Sequence, residues 1–221
     1  MRHVGIPFLA AAALCMLASP AFAQRGGFGP QEVGLSQLLT NEGVQKELKI
    51  TKDQAEKFTK AAQEQGAKMR EAFQDAGGDM DKLREIMTKL RAESEKAAAK
   101  LAADTLKPEQ VKRLQQMALQ ANGLRSFTKP EVQKALKLTD TQIKDVTKIS
   151  ADVQKEAGEL LRDAGRDRDK RQEAQKKIAT LNTEGLAKVT KLLTDDQQKT
   201  WKTMIGDKFT YVPTPFRRPN N

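Results

Sequence analysis

Side chains able to do covalent or metal chemistry are scarce in this chain, and the two best ones lie together. The only histidine, His3, and the only cysteine, Cys15, both fall within the first 23 residues. Imidazole and thiolate are the parts from which zinc sites and Ser-His-Asp or Cys-His catalytic arrangements are made. If those residues leave during export, the remainder can form neither of these, nor a disulfide. Carboxylate chemistry needs two acids converging in a cleft, whereas Asp and Glu here are spread among Lys and Arg. The sequence therefore predicts a protein that is not an enzyme, with no metal site and no cofactor.

Export is read from MRHVGIPFLAAAALCMLASPAFAQ. Arg2 gives a basic start, 4–17 an apolar run, and Ala21-Phe22-Ala23 a small-x-small cleavage pattern, too short a unit to span a bilayer. Leu14 is bulky where a lipidated Cys15 would need a small neighbour. The expectation is a signal peptide over 1–23, a soluble exported chain from Gln24, and a flexible leader over 24–36. Loss of Arg2 takes the net charge from +10 to +9.

The elements that position the remaining side chains are helical. Aromatics make up 5% of the chain, and its middle is rich in Ala, Leu, Lys, Gln and Glu, all good helix formers. No alternating β-branched run reads as a strand, so the fold class is all-α. The chain also repeats itself. VQKELKITKDQAEKFTK (44–60) matches VQKALKLTDTQIKDVTK (132–148) at nine of seventeen positions, 88 residues apart. LKPEQVKRLQQM (106–117) then aligns with LTDDQQKTWKTM (193–204) at an offset of 87, which fits one deletion in a connecting loop. Two tandem repeats are expected, 37–124 and 125–209, followed by an extended tail over 210–221.

Within each repeat the apolar spacing predicts two long helices. Ala55, Phe58, Ala62, Met69, Phe73 and Ala76 follow three- and four-residue steps up to Gly77-Gly78; Leu83, Met87, Leu90, Ala97 and Leu101 mark the next helix, about 79–104. The second repeat stops likewise at Gly165. Helices of about 25 residues reach roughly 38 Å, and a tight glycine turn folds them into an antiparallel hairpin with a short helix at each end.

The repeated phrase sets where helices begin. Thr51/Gln54, Thr139/Gln142 and Thr194/Gln197 have capping-box spacing: the hydroxyl accepts from the amide three residues on, and the glutamine returns to the threonine amide. In the fourth copy Lys107 replaces the threonine, while Pro108 suits the first helical position ahead of Gln110. Each cap contributes about 1 kcal/mol. A catalytic role for these residues is the sharper reading, and capping the simpler one.

Paired LTxxQ phrases in a helix-rich, cationic, exported chain resemble the Spy/CpxP family of periplasmic proteins. The phrases at 50–54 and 106–110 correspond to one family unit, and those at 138–142 and 193–197 to the next. The resemblance implies a periplasmic location, a curved cradle of long helices, and ATP-independent holdase or envelope-stress activity. Relatives that bind zinc, nickel or cobalt do so through His and Cys, which this chain lacks after residue 23. The tandem duplication departs from the family pattern. It suggests a monomeric pseudo-dimer, with a homodimer as the alternative.

Met69, Phe73, Met80 and Met87 cluster about the Gly77-Gly78 turn. Core packing of the hairpin tip is the simple reading; a promiscuous apolar surface, with Lys68 and Arg70 drawing acidic flanks, is the functional one. GRDRDKRQEAQKK (165–177) is dense in cations but interleaved with Asp167, Asp169 and Glu173 and without aromatics, so a solvated helix start is expected rather than a nucleic-acid site. Phe209, Tyr211 and Phe216 suit a strap docked on the bundle or a partner-binding tail, and Trp201 suits the core. The function expected is binding of non-native polypeptides. The alternatives are a regulatory or scaffolding module with one envelope partner, or a surface protein binding anionic envelope polymers.

Overall fold

The computed structural model describes residues 32–213. The expected signal peptide over 1–23, residues 24–31 of the expected leader and residues 214–221 of the expected tail, with Phe216, lie outside the described residues. Among the described residues the fold is all-α, with no strand.

Two short helices, α1 (Leu35–Leu39) and α2 (Glu42–Glu47), lead into a hairpin of α3 (Lys52–Ala76) and α4 (Met80–Thr105), closed by α5 (Pro108–Asn122). A 3-10 segment (Gly123–Thr128) and the short α6 (Pro130–Ala135) lead into the second hairpin, α7 (Asp140–Ala164) and α8 (Arg168–Leu192), closed by α9 (Asp195–Ile205).

Helix starts follow the phrase. Each threonine hydroxyl accepts from the amide three residues on, at 3.3, 3.2 and 3.3 Å for Thr51, Thr139 and Thr194. The Oε1 atoms of Gln54, Gln142 and Gln197 accept the threonine amides at 3.0, 3.0 and 2.9 Å. At α5 only half the box forms: the Lys107 amide donates to Gln110 Oε1 at 2.9 Å, because an ammonium side chain has no acceptor to return. Both hairpin turns use a left-handed glycine, Gly77 at φ 57° and Gly165 at φ 55°, followed by an aspartate cap. Asp79 accepts from the amides of Asp81 and Lys82, and Asp167 from those of Asp169 and Lys170.

Those aspartate caps place the missing residue. From Lys52/Asp140 through Asp79/Asp167 the two halves stay 88 apart, and only at the ends of α4 and α8 does the offset become 87. The deletion therefore lies inside the second long helix, 26 residues in α4 and 25 in α8, and not in a connecting loop. Its inward positions tolerate this, because steps of seven and of eight residues both return to one helix face.

Each half has its own core. Leu38, Leu39, Val44, Phe58, Ala102, Leu114 and Met117 anchor the first. Phe127, Val132, Leu136, Val146, Val189 and Trp201 anchor the second, where the Phe127 and Trp201 rings stack tilted with centroids 4.2 Å apart. The 3-10 segment lies across α7 and α8 and also touches α5, while α5 packs on α9. Its approach to α8 is close: a Cβ on Gly185 would stand 2.7 Å from Leu124 Cδ2.

Residues 32–36, expected to be part of a flexible leader, are held instead. The Val33 amide donates to Asn122 Oδ1 at 2.8 Å, Asn122 Nδ2 returns to the Val33 carbonyl at 3.0 Å, and α1 starts at Leu35. Residues 206–209, placed by sequence in the second repeat, form irregular chain with a bend at Asp207 after α9 has ended at Ile205.

Candidate polypeptide-binding surface

The tip of the first hairpin is built by the end of α3, the Gly77-Gly78 turn and the start of α4. Ala72 and Ala76 are buried on α3, while Met69 and Phe73, one helical turn apart on the same side of the helix, stand exposed. Met80 opens α4 across the turn. Met69, Phe73 and Met80 are 43, 54 and 56% exposed, a concentration of large apolar side chains matched elsewhere only by isolated Leu192 and Val212 among the described residues. Lys68 and Arg70 are exposed beside them, and Met87 is half-buried further down α4. Lys82 Nζ donates back across the turn to the Asp75 carbonyl at 2.7 Å, tying the tip together. Exposed pairs Arg84–Asp81 and Lys89–Glu85 continue down α4.

The second hairpin carries no such patch. The positions 88 residues on from Met69, Phe73 and Met80 are Ala157, buried; Leu161, half-buried; and the exposed Arg168. Reading the two repeats against each other at that offset would have isolated the patch from sequence.

The capping residues form a different constellation. In the first half Gln54 Nε2 donates to the Thr105 carbonyl at 2.8 Å and Gln110 Nε2 to the Leu48 carbonyl at 2.7 Å. Each phrase thereby grips the chain beside the other and closes the hairpin base. In the second half Gln142 Nε2 donates to the Leu192 carbonyl at 2.8 Å, and Gln142 and Gln197 also bond each other. Pro108 begins α5 as expected. A shallow groove of about 400 Å³ lies along the first base, lined by Lys49, Gln54, Lys107, Gln110 and Arg113 among others. Another, about 340 Å³, runs along α3 from Lys52 to Gln63. Both are lined mainly by polar and charged side chains, and neither includes the apolar tip.

At the junction of the halves Glu95 accepts from the Leu35 amide, its nearer oxygen at 3.0 Å. Burial pushes its carboxyl above the ordinary range, against the opposing pull of that amide and of Lys129. Lys129 pairs with Glu32, and burial lowers the nearby Arg125 guanidinium. Among the described residues no cluster of three acidic, His or Cys side chains is arranged to hold a metal ion, and no helix is long and apolar enough to cross a membrane.

No family model, curated protein or solved structure matches this chain.

Sequence reasoning missed Arg113 and Gln120 on α5, which bond Asp207 and Phe209 of the C-terminal segment, and Gln116, whose carboxamide lies against Gly206. The four-residue spacing of Gln116 and Gln120 marks one polar edge of that helix, but nothing local says what lies on it.

Proposed function

We propose that this protein is an exported, periplasmic, ATP-independent holdase of the Spy/CpxP kind, binding non-native polypeptides at the tip of its first helical hairpin. The observation that carries the reading is the exposure of Met69, Phe73 and Met80 on a scaffold whose second copy covers or charges the same positions. Exposed apolar clusters of this kind mark interaction surfaces, and unbranched thioethers adapt to many partners. Lys68 and Arg70 beside the patch suit segments with acidic flanks. The paired LTxxQ phrases support the family reading. Packing of α5 on α9, equivalent helices of the two repeats, supports a pseudo-dimer within one chain.

The test is suppression of aggregation of several unrelated unfolded proteins by equimolar purified protein without nucleotide. Met69→Ser/Phe73→Ser/Met80→Ser should abolish it while leaving the melting temperature unchanged. Activity on none of the substrates overturns the reading in favour of a module with one defined envelope partner. Activity lost above about 0.5 M salt, where screening lengths are a few Å, points instead to anionic polymers.

A further inference from the structure

The C-terminal segment sits on the first half the way a peptide sits on a receptor. α9 ends at Ile205, Gly206 takes φ 62°, and the chain runs on irregularly to Pro213 with a bend at Asp207. α5 reads its main chain. Arg113 Nη1 donates to the Asp207 carbonyl at 2.9 Å, and Gln120 Nε2 donates to the carbonyls of Ile205 and Asp207 at 2.6 and 2.8 Å. Gln120 Oε1 accepts from the Phe209 amide at 2.7 Å. From the turn between α1 and α2, Asn41 Nδ2 donates to the Val212 carbonyl at 2.8 Å. Two aromatics at alternate positions, Phe209 and Tyr211, pack against the first core, while Thr210 and Val212 face solvent.

These contacts define a recognition pattern. These hydrogen bonds go to backbone atoms, which any polypeptide supplies, and the alternate burial over 209–212 puts both aromatics on one face of the segment. Main-chain bonds give affinity and alternate side-chain sites give specificity in this mode of peptide binding. Of the occupant only Gly206, Phe209 and Tyr211 are half-buried, the rest being exposed, and it is joined to α9 through a single glycine. At φ 62° that hinge is strained by any side chain, and a Cβ there would also have to push aside the Gln116 carboxamide. We infer that the groove between α5 and the α1–α2 turn is a second polypeptide-binding site, specific for extended aromatic-x-aromatic segments, and that residues 206–213 are its built-in competitor. The site is separate from the hairpin tip, and its test does not depend on holdase activity.

A tethered competitor lowers apparent affinity by the fraction of time the groove is open. The probe is a fluorescent peptide with the sequence of 206–213, GDKFTYVP, alongside GDKATAVP as control. It is titrated into the full chain and into Phe209→Ala/Tyr211→Ala, whose fold is checked by circular dichroism and Trp201 fluorescence. The double variant should bind the probe at least about tenfold more tightly than the unaltered chain, ignore the control peptide, and lose the gain when Gln120→Ala is added. Should the double variant fold poorly, Gly206→Val displaces the strap without deleting an aromatic and should show the same tightening. Equal binding to both proteins, no binding by a folded variant, or binding indifferent to Gln120→Ala overturns the proposal. A chain that is dimeric until the aromatics are removed overturns it too, by making a second copy's strap the groove's occupant.

Discussion

Gln142 and Gln197, 55 residues apart, hold each other by their carboxamides in both directions: Gln142 Nε2 donates to Gln197 Oε1 at 2.8 Å, and Gln197 Nε2 to Gln142 Oε1 at 3.0 Å. Each oxygen also accepts the amide of its own threonine cap. The glutamines of both halves bond backbone carbonyls, Gln54 and Gln110 in the first and Gln142 and Gln197 in the second, and the second pair bond each other besides. A residue that is only a cap couples to nothing distant, whereas this pair fastens the start of α7 to the start of α9.

The pair therefore predicts different couplings in the two halves. Gln142→Ala and Gln197→Ala should each destabilise by about 1 kcal/mol, as the loss of a cap and a net hydrogen bond implies. Measured by urea unfolding, their double-mutant cycle should show a coupling of about 0.5–1 kcal/mol. The cycle on Gln54→Ala and Gln110→Ala should give a value near zero. Equal couplings in both halves would refute the distinction.

Much of the architecture was legible because it is local. Thr-x-x-Gln fixes a helix start within four residues, and Gly77 and Gly165 fix the hairpin turns. The aspartate caps were equally readable, since Asp79 and Asp167 directly follow those turns, and they would have moved the deletion from a loop into the second long helix of the repeat, α8. The second bonds of the capping glutamines were not readable, because each joins residues 50 or more apart. Nor was the resting place of the strap: Asn41 and Val212 are separated by 171 residues, and no pattern in either segment names the other. The apolar tip was visible as composition, but exposed Met69 and Phe73 share one stripe of three- and four-residue steps with buried Ala76, so the pattern did not tell them apart.

Lys49 and Lys137 end α2 and α6 in the left-handed region, both at φ 51°. Reverse bonds from Ile50 to the Gln45 carbonyl and from Leu138 to the Gln133 carbonyl close a Schellman turn around each. A side chain in this conformation costs about 1–2 kcal/mol that glycine does not incur. Part of the gain is lost to glycine's freer unfolded state. Lys49→Gly and Lys137→Gly should each stabilise by about 0.5–1 kcal/mol, read as a raised urea midpoint with an unchanged m-value. A fall in midpoint would show that the lysine side chains do more than occupy the turn.

Glycines inside the long helices should divide by their surroundings. Gly66 and Gly158 have open space where a Cβ would go. Alanine there should stabilise by about 0.5–1 kcal/mol through helix propensity. At Gly185 the same substitution meets Leu124 Cδ2 at 2.7 Å and Val153 Cγ2 at 3.1 Å. Leu124 is buried and cannot swing clear without disturbing the 3-10 segment. Overpacking costs about 1–3 kcal/mol, enough to outweigh the propensity gain, so Gly185→Ala should lower the melting temperature.

Tyr211 is the only tyrosine in the chain, so its phenol can be titrated by absorbance without interference from another. Burial against the first core raises its pKa above the ordinary value of 10.0. The neutral form is thus favoured in the docked strap, and between the free and docked values the folded protein holds more protons than the unfolded chain. Stability from this group is fully present below pH 10 and declines as pH rises through the docked value. In the strap-releasing variant Gly206→Val the phenol should titrate at its ordinary value, and the alkaline loss attributable to Tyr211 should disappear. A phenol that titrates identically in both proteins would mean that docking of the strap is not what shields it.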